Sequence, residues 1–239
     1  MHVEIRRDAA EAIRDAADLL IGWLRDEGAR RVMVAGGNTP LPLYDEIARR
    51  GIDASELRID VLDEYVGVPN HHPRTCTNLL RRSVAEAWRV APGNFSGLSS
   101  EESEAEAAVI AHERQIEAAG GLDAIVLGLG KNGHLGFNEP GSARDSAARL
   151  LDLDPVSIEA NRSWFGGEYA PRQGATVGLR TILGSRRVLL LAFGAAKAKA
   201  VRAMVKGPRG SECPASFLQD HRRTHIFLDE AAAARLQDR

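Results

Sequence analysis

The chain has 239 residues, 44% of them hydrophobic and 27% charged, with a formal net charge of −2 and its acids and bases interspersed. A chain of this length can bury a sizeable core without a metal or a disulfide as staple. No basic stripe marks a phosphate backbone as ligand, so no nucleic acid is expected as a partner. No apolar run approaches the roughly 20 residues that a bilayer span requires, so no membrane is expected either.

The N-terminus, MHVEIRRDAAEAIRDAADLL, is charged throughout and lacks the apolar core of a signal peptide. From Ala9 to Glu27 the apolar residues Ile13, Ala16, Leu19, Leu20 and Leu24 recur at helical spacing. Arg31–Ala35 reads as a short buried strand stopped by Gly36-Gly37, and Leu43–Arg50 as a helix. Arg58–Leu62 reads as a second strand that ends in Asp63-Glu64-Tyr65. Asn78–Trp88 and Glu102–Ala119 are helical by the same periodicity, the second polar enough to lie on the surface. Ala124–Leu129 and Val188–Phe193 are continuous apolar runs, as expected of parallel strands covered on both faces. A helix over Lys197–Val205 follows the second run, and Thr224–Leu228 reads as the last strand. The segment from Gly141 to Gly174 has the weakest periodicity and reads as loops and short helices forming a lid. Alternating strands and helices, with no internal repeat or long linker, predict a single α/β domain over 1–239 built on a mostly parallel sheet flanked by helices. The cysteines, Cys76 and Cys213, lie far apart without metal-ligand spacing and read as reduced thiols of a cytoplasmic protein.

In open α/β sheets ligands bind at the carboxyl ends of the strands. The polar clusters of this chain fall there, after the apolar runs. Gly36-Gly37-Asn38-Thr39-Pro40 follows a strand and opens a helix. Its glycines let backbone N–H groups approach an anion, and Asn38 and Thr39 can cap the helix or donate to a phosphate. Asp63 and Glu64 are adjacent acids at a strand end, where a carboxylate can serve as a general base. Gly128–Pro140 (GLGKNGHLGFNEP) contains a Gly-x-Gly-x-x-Gly pattern, which by itself points to a dinucleotide. Here no helix-periodic run opens after Gly133, and His134 and Asn138-Glu139-Pro140 follow instead. The loop reads as catalytic, with His134 as acid/base and Glu139 close enough to tune it. Lys197 ends a strand at a place from which it can reach an anion. Arg162 and Arg172 could each clamp a phosphate from the weakly periodic segment. His71 and His72 precede Pro73 in a loop without ligand spacing, so no metal is expected.

These motifs together resemble the glucosamine-6-phosphate deaminase (isomerase) family, which shares a modified Rossmann-like fold with 6-phosphogluconolactonases. The resemblance rests on AGGNTPLPLYDEI (35–47), VLDEYVGV (61–68), HPRTCTNLL (72–80), LDAIVLGLGKNGHLGFNEPGS (122–142), ATVGLRTIL (175–183), FGAAKAKAVRAMVKGP (193–208) and CPASFLQDH (213–221). It implies an enzyme without a cofactor that turns an amino sugar phosphate, glucosamine 6-phosphate, into fructose 6-phosphate and ammonia. His134 would assist opening of the pyranose ring, Asp63 would move a proton from C2 to C1, and Glu139 would orient His134. Gly36, Gly37, Asn38, Thr39 and Lys197 would hold the 6-phosphate. The Asn138-Glu139-Pro140 ending favours this chemistry over lactone hydrolysis by a 6-phosphogluconolactonase. A non-catalytic sugar-phosphate sensor is disfavoured by the presence of Asp63 and His134.

Two positions depart from the family pattern. Asn132 stands where the family has an aspartate. It is expected to accept a hydrogen bond from the imidazole, and the Lys-Asn-Gly-His run is similar to the galactosamine-6-phosphate branch, which would give tagatose 6-phosphate. The family's phosphate-binding arginine is displaced by one place, leaving Arg162 as the nearest candidate. An allosteric site used by some members is matched only by Ser142 and Arg149. Members range from monomers to hexamers, so a homo-oligomer is compatible with the resemblance.

Overall fold

The computed structural model describes residues 1–25 and 28–237. A parallel sheet of seven strands runs through its centre in the order β1-β10-β9-β6-β2-β3-β5. These strands are β1 (His2–Arg6), β2 (Arg31–Val34), β3 (Arg58–Val61), β5 (Phe95–Ser96), β6 (Ala124–Gly128), β9 (Val188–Ala192) and β10 (Thr224–Asp229). The period-2 alternation of side chains sorts each strand between two cores. Val32, Val34, Ile59, Val61, Val126 and Leu191 face the layer formed by α1 (Ala9–Arg25) and α2 (Leu41–Arg50). Met33, Ile125, Leu127, Val188 and Leu190 face the layer that includes Ile182, Val201 and Met204 of α6 (Leu179–Gly184) and α7 (Ala198–Lys206). Burial on both faces explains why these strands are continuous apolar runs. It confirms the α/β fold with a mostly parallel sheet flanked by helices. No helix among the described residues is long and apolar enough to cross a membrane.

The order in which strands are added to the sheet reverses between β2 and β6, which are parallel hydrogen-bonded neighbours. From β2 the chain builds outward through β3 to β5, and from β6 it builds the other way through β9 to β10, which lies against the N-terminal edge strand β1. That reversal is a topological switch point, where the loops after the two strands diverge and leave a crevice at their carboxyl ends. The two loops in question are Gly36–Pro40 and the loop after Gly128.

The structure differs from the sequence reading in three places. The N-terminal residues form the edge strand β1, parallel to β10. Its polar residues Glu4 and Arg6 are half-buried beside α1, where Arg6 pairs with Glu4 and Asp15, so the run looked merely charged. The first helix is described over Ala9–Arg25, as expected there, and Glu27 lies outside the described residues. Within 141–174 there are two strands and a ten-residue helix rather than loops and short helices. A second sheet, antiparallel and ordered β4-β8-β7, joins β4 (Asp63–Val66) to β8 (Gln173–Thr176) and β7 (Arg149–Asp152), with α5 (Pro155–Trp164) between β7 and β8. Finally, α4 (Ala105–Ala118) turns polar side chains inward. His112 meets Ser96 Oγ and the Val61 carbonyl, each at 3.0 Å. Glu113 accepts from the N–H of Ala148 (2.7 Å) and Gly178 (2.9 Å) and from the Thr181 hydroxyl (2.8 Å). Buried polar groups satisfied in this way look, in sequence, like a solvated face.

Candidate active site

Only Leu62 separates β3 from β4, so the chain leaves the large sheet and enters the small one at Asp63. The Leu62 N–H still bonds the Val34 carbonyl at 3.1 Å, while its own carbonyl accepts from Val177 N–H at 3.1 Å. Strand alternation then sends the two neighbouring acids to opposite sides. Asp63 lines a cavity of about 880 Å³ at the switch point. Glu64, fully buried, accepts backbone N–H bonds from Tyr65, Cys76 and Thr77, all at 2.8 Å. Cys76 opens α3 (Cys76–Leu80), which continues as a π-helical turn over Arg81–Glu86.

Burial raises the Asp63 carboxyl to about 7, and the Glu64 charge adds to the rise; a hydrogen bond from Cys76 works the other way. Burial also lifts Glu64 to about 7, against its three N–H donors. Those donors favour the carboxylate form of Glu64 and oppose the effect of burial. A base poised near neutrality in a cavity suits proton abstraction.

The loop after β6 carries the second acid/base group. Its first turn closes through Gly133 N–H to the Gly130 carbonyl and Gly130 N–H to the His134 carbonyl, both at 3.1 Å. This turn stacks the imidazole on the Gly130 backbone. A Cβ at Gly130 would lie 2.3–2.5 Å from ring atoms of His134, so no side chain fits there. His134 Nδ1 lies 3.1 Å from Glu139 Oε2. The Ser157 hydroxyl of α5 lies 3.4 Å from the same nitrogen. Burial acts to raise the Glu139 carboxyl, but His134, through its hydrogen bond and charge, together with hydrogen bonds from Ser157 and Asn132, holds it below its ordinary value. Glu139 is therefore a fixed negative partner for the ring.

Asn132 takes a different part from the one expected. Its Nδ2 donates to Glu139 Oε2 at 2.7 Å, and its Oδ1 accepts from the His134 backbone N–H at 3.3 Å. It positions the glutamate and the loop, and makes no bond to the imidazole. Asn138 is fully buried and structural, donating to the carbonyls of Leu135 (3.0 Å) and Val177 (2.9 Å). Arg149 donates to Asn138 Oδ1 at 3.0 Å and to Ser142 Oγ at 2.8 Å, so Ser142 and Arg149 bond to each other.

Gly36, Gly37, Asn38 and Thr39 form the opposite lip of the cavity. Gly37 has φ +98°, which a side chain would strain. The α2 N-cap is Pro40, and no side chain caps it. Asn38 and Thr39 therefore do not cap this helix; the Leu43 and Tyr44 N–H groups bond the Pro40 carbonyl instead, at 3.0 and 3.3 Å. Lys197 also lines the cavity, its Nζ 2.5 Å from the Leu129 carbonyl. Burial lowers its pKa, with a smaller contribution from Lys131.

Arg162 and Arg172 do not reach the cavity. The Arg162 side chain is 62% exposed and lies 4.0 Å from Glu159, and Arg172 is also exposed. The cavity instead presents Arg74, Arg82, Lys131 and Lys197, against Asp63 as the one acid lining it among the described residues. In a chain of net charge −2, that concentration of positive charge selects an anionic ligand. Tyr65, Cys76, Ser157 and Asn161 also line the wall and were not singled out from the sequence. Their signal was faint: Cys76, Leu79 and Arg82 recur at spacing three on one helical face, and Ser157 lies in a segment of weak periodicity. Among the described residues, no three His, Cys, Asp or Glu side chains converge as a metal site would require.

A sequence model of the family described as glucosamine-6-phosphate isomerases/6-phosphogluconolactonase matches residues 4–227. The chain belongs to this family. Among relatives within it, a glucosamine-6-phosphate deaminase of Arthrobacter sp. (strain FB24) is 40% identical over 93% of this chain and 87% of its own. Another, of Streptomyces avermitilis, is 41% identical over 99% and 93%. A solved structure of a monomeric glucosamine-6-phosphate deaminase superposes with a TM-score of 0.93 at 28% identity, covering 98% of this chain and 99% of that one. The 6-phosphogluconolactonase of Trypanosoma cruzi has the same fold, with a TM-score of 0.80 at 19% identity over 99% and 97%.

Proposed function

We propose that this chain is a glucosamine-6-phosphate deaminase, converting glucosamine 6-phosphate and water to fructose 6-phosphate and ammonia. One observation carries the reading. An electropositive cavity holds a carboxyl poised near 7 and, separately, an imidazole backed by an ionised glutamate. Aldose–ketose proton transfer needs both a base and an acid, on different atoms of the substrate. The curated relatives with this name support the same choice.

In this reading the phosphate sits at the Gly36–Thr39 turn with Lys197, which leaves the sugar extended toward Asp63 and His134. His134 moves a proton to the ring oxygen and opens the pyranose. Glu139 holds the imidazole and stabilises its charged form. Asp63, as carboxylate, removes the C2 proton of the open-chain sugar and returns it to C1. Water then adds at C2, the nitrogen departs as ammonia, and a ketohexose 6-phosphate remains. Holding one end of the substrate by its phosphate turns each transfer into an intramolecular event. A phosphorylated substrate is retained inside cells, which supports a cytoplasmic location.

The test is to incubate the purified protein with glucosamine 6-phosphate, galactosamine 6-phosphate and 6-phosphogluconolactone, measuring ammonia and acid release. Ammonia is expected from glucosamine 6-phosphate. Ammonia from the galacto epimer alone would reassign the sugar, and acid from the lactone without ammonia would overturn the reading.

A further inference from the structure

We infer that Arg82 supplies the guanidinium that binds the substrate's phosphate, and that Arg162 takes no part in it. The inference rests on the reading of the ligand as a sugar phosphate. A guanidinium binds a phosphate more specifically than lysine does, because its planar fork can donate two parallel bonds.

Three observations place Arg82 beside the anion-binding turn. Cys76, Leu79 and Arg82 share one face of α3 and its π-helical continuation, and all three line the cavity. The upper end of that face touches the turn itself: a Cβ on Gly36 would lie 3.1 Å from Cys76 Sγ. The lower end packs on α2, the helix whose N-terminus the turn opens. Trp88 just beyond donates its Nε1–H to the Tyr44 carbonyl of α2 at 3.0 Å, and the two rings meet edge to face. The helix that carries Arg82 is therefore fixed to the helix that the Gly36–Thr39 turn opens.

Arg82 is also available. Its Nη2 donates to the Pro73 carbonyl at 2.5 Å, which orients the guanidinium. Among the described residues no carboxylate pairs with it, so its charge and its remaining N–H groups are uncommitted. Arg74 is differently engaged. It bonds the Trp164 carbonyl, while Trp164 Nε1–H returns a bond to the Arg74 carbonyl at 3.0 Å. That reciprocal pair fastens α5 across the cavity. Arg162, on the outer side of α5, has an exposed side chain and Glu159 as its neighbour.

The experiment uses the full-length protein with Arg82→Gln, Arg82→Lys, Arg74→Gln and Arg162→Gln. Ammonia release from glucosamine 6-phosphate and inhibition by inorganic phosphate are measured in parallel. Arg82→Gln is expected to raise KM about tenfold to a hundredfold, as loss of a charged hydrogen bond does, with kcat within about threefold. The phosphate inhibition constant should rise by a similar factor. Arg82→Lys should fall between wild type and Arg82→Gln, and Arg162→Gln should match wild type. Unchanged KM and phosphate inhibition in Arg82→Gln would overturn the inference, as would the same loss in Arg162→Gln or in Arg74→Gln alone. Calorimetric titration of wild type and Arg82→Gln with inorganic phosphate needs no turnover. If the wild type releases no ammonia yet binds phosphate more tightly than Arg82→Gln, the assignment of Arg82 stands and only the assignment of the reaction falls.

Discussion

Replacing Asp63 by asparagine should stabilise the protein while abolishing turnover. In the folded chain the carboxyl ionises at about 7 rather than at its ordinary 3.8. At ~1.4 kcal/mol per pKa unit, that difference is worth roughly 4 kcal/mol between the two protonation states. The sign follows from proton counting. Between these values the folded state holds a proton that the unfolded chain has lost, so stability falls as pH rises through the interval. The cost is absent below the ordinary value and complete above about 7. Asparagine removes it but remains a buried polar group that needs partners, so a gain of about half, ~2 kcal/mol, is expected near pH 8. For a chain of this size that corresponds to roughly 4–8 °C in Tm. Thermal and urea unfolding of wild type and Asp63→Asn at pH 8 and at pH 5 would measure it. The gap should be largest at pH 8 and shrink at pH 5. A variant no more stable than wild type at pH 8, or a gap independent of pH, would refute the argument that burial destabilises this carboxylate. Wild-type kcat/KM should rise with pH through about 7, as the base ionises.

Asn132→Asp would set a second carboxylate where an amide now donates to Glu139 at 2.7 Å. More than about tenfold loss of kcat/KM is expected at pH 8, about 1.4 kcal/mol in the barrier, with the ratio to wild type narrowing at pH 6 as a proton is shared; full activity at pH 8 would show that the loop relaxes. Ser157→Ala removes a hydroxyl 3.4 Å from the imidazole. Its kcat should fall about twofold to tenfold with KM nearly unchanged, and a change confined to KM would place Ser157 on the substrate instead. Gly130→Ala pushes a methyl into the His134 ring. Turnover should drop by about a hundredfold, with about 1–3 kcal/mol lost from stability by urea titration; near-normal kinetics would mean that the ring need not lie on this backbone.

The sheet was legible because its strands are buried on both faces and announce themselves as apolar runs. The loops that carry the site were legible as polar clusters after apolar runs, whereas the strand order, and with it the switch point between β2 and β6, came only from the structure. The small sheet was not legible. Gln173–Thr176 and Arg149–Asp152 carry mixed polar and apolar residues; the first pairs with β4 across more than 100 positions of sequence, and the second joins the sheet only through the first. Arg82 and Ser157 were missed for a related reason. Each sits on a helix whose cavity-facing side mixes polar with apolar residues, so periodicity alone assigned neither helix a functional face. Arg162 was favoured because its neighbours matched a motif, but its place on α5 turns the side chain to solvent.

Asp63-Glu64 shows what a local pattern can conceal. Two adjacent acids after a strand read as one base and one neighbour. A second strand, β4, in fact begins at Asp63, and alternation along it gives them separate tasks. Asp63 enters the cavity, while Glu64 binds the first N–H groups of α3 from beneath. Glu64 thereby ties the strand that carries the base to the helix that carries Cys76 and Arg82. Its charge is also one reason that Asp63 ionises so late. The residue that anchors the wall of the cavity thus also brings the base toward neutrality, so replacing Glu64 would disturb position and proton affinity together.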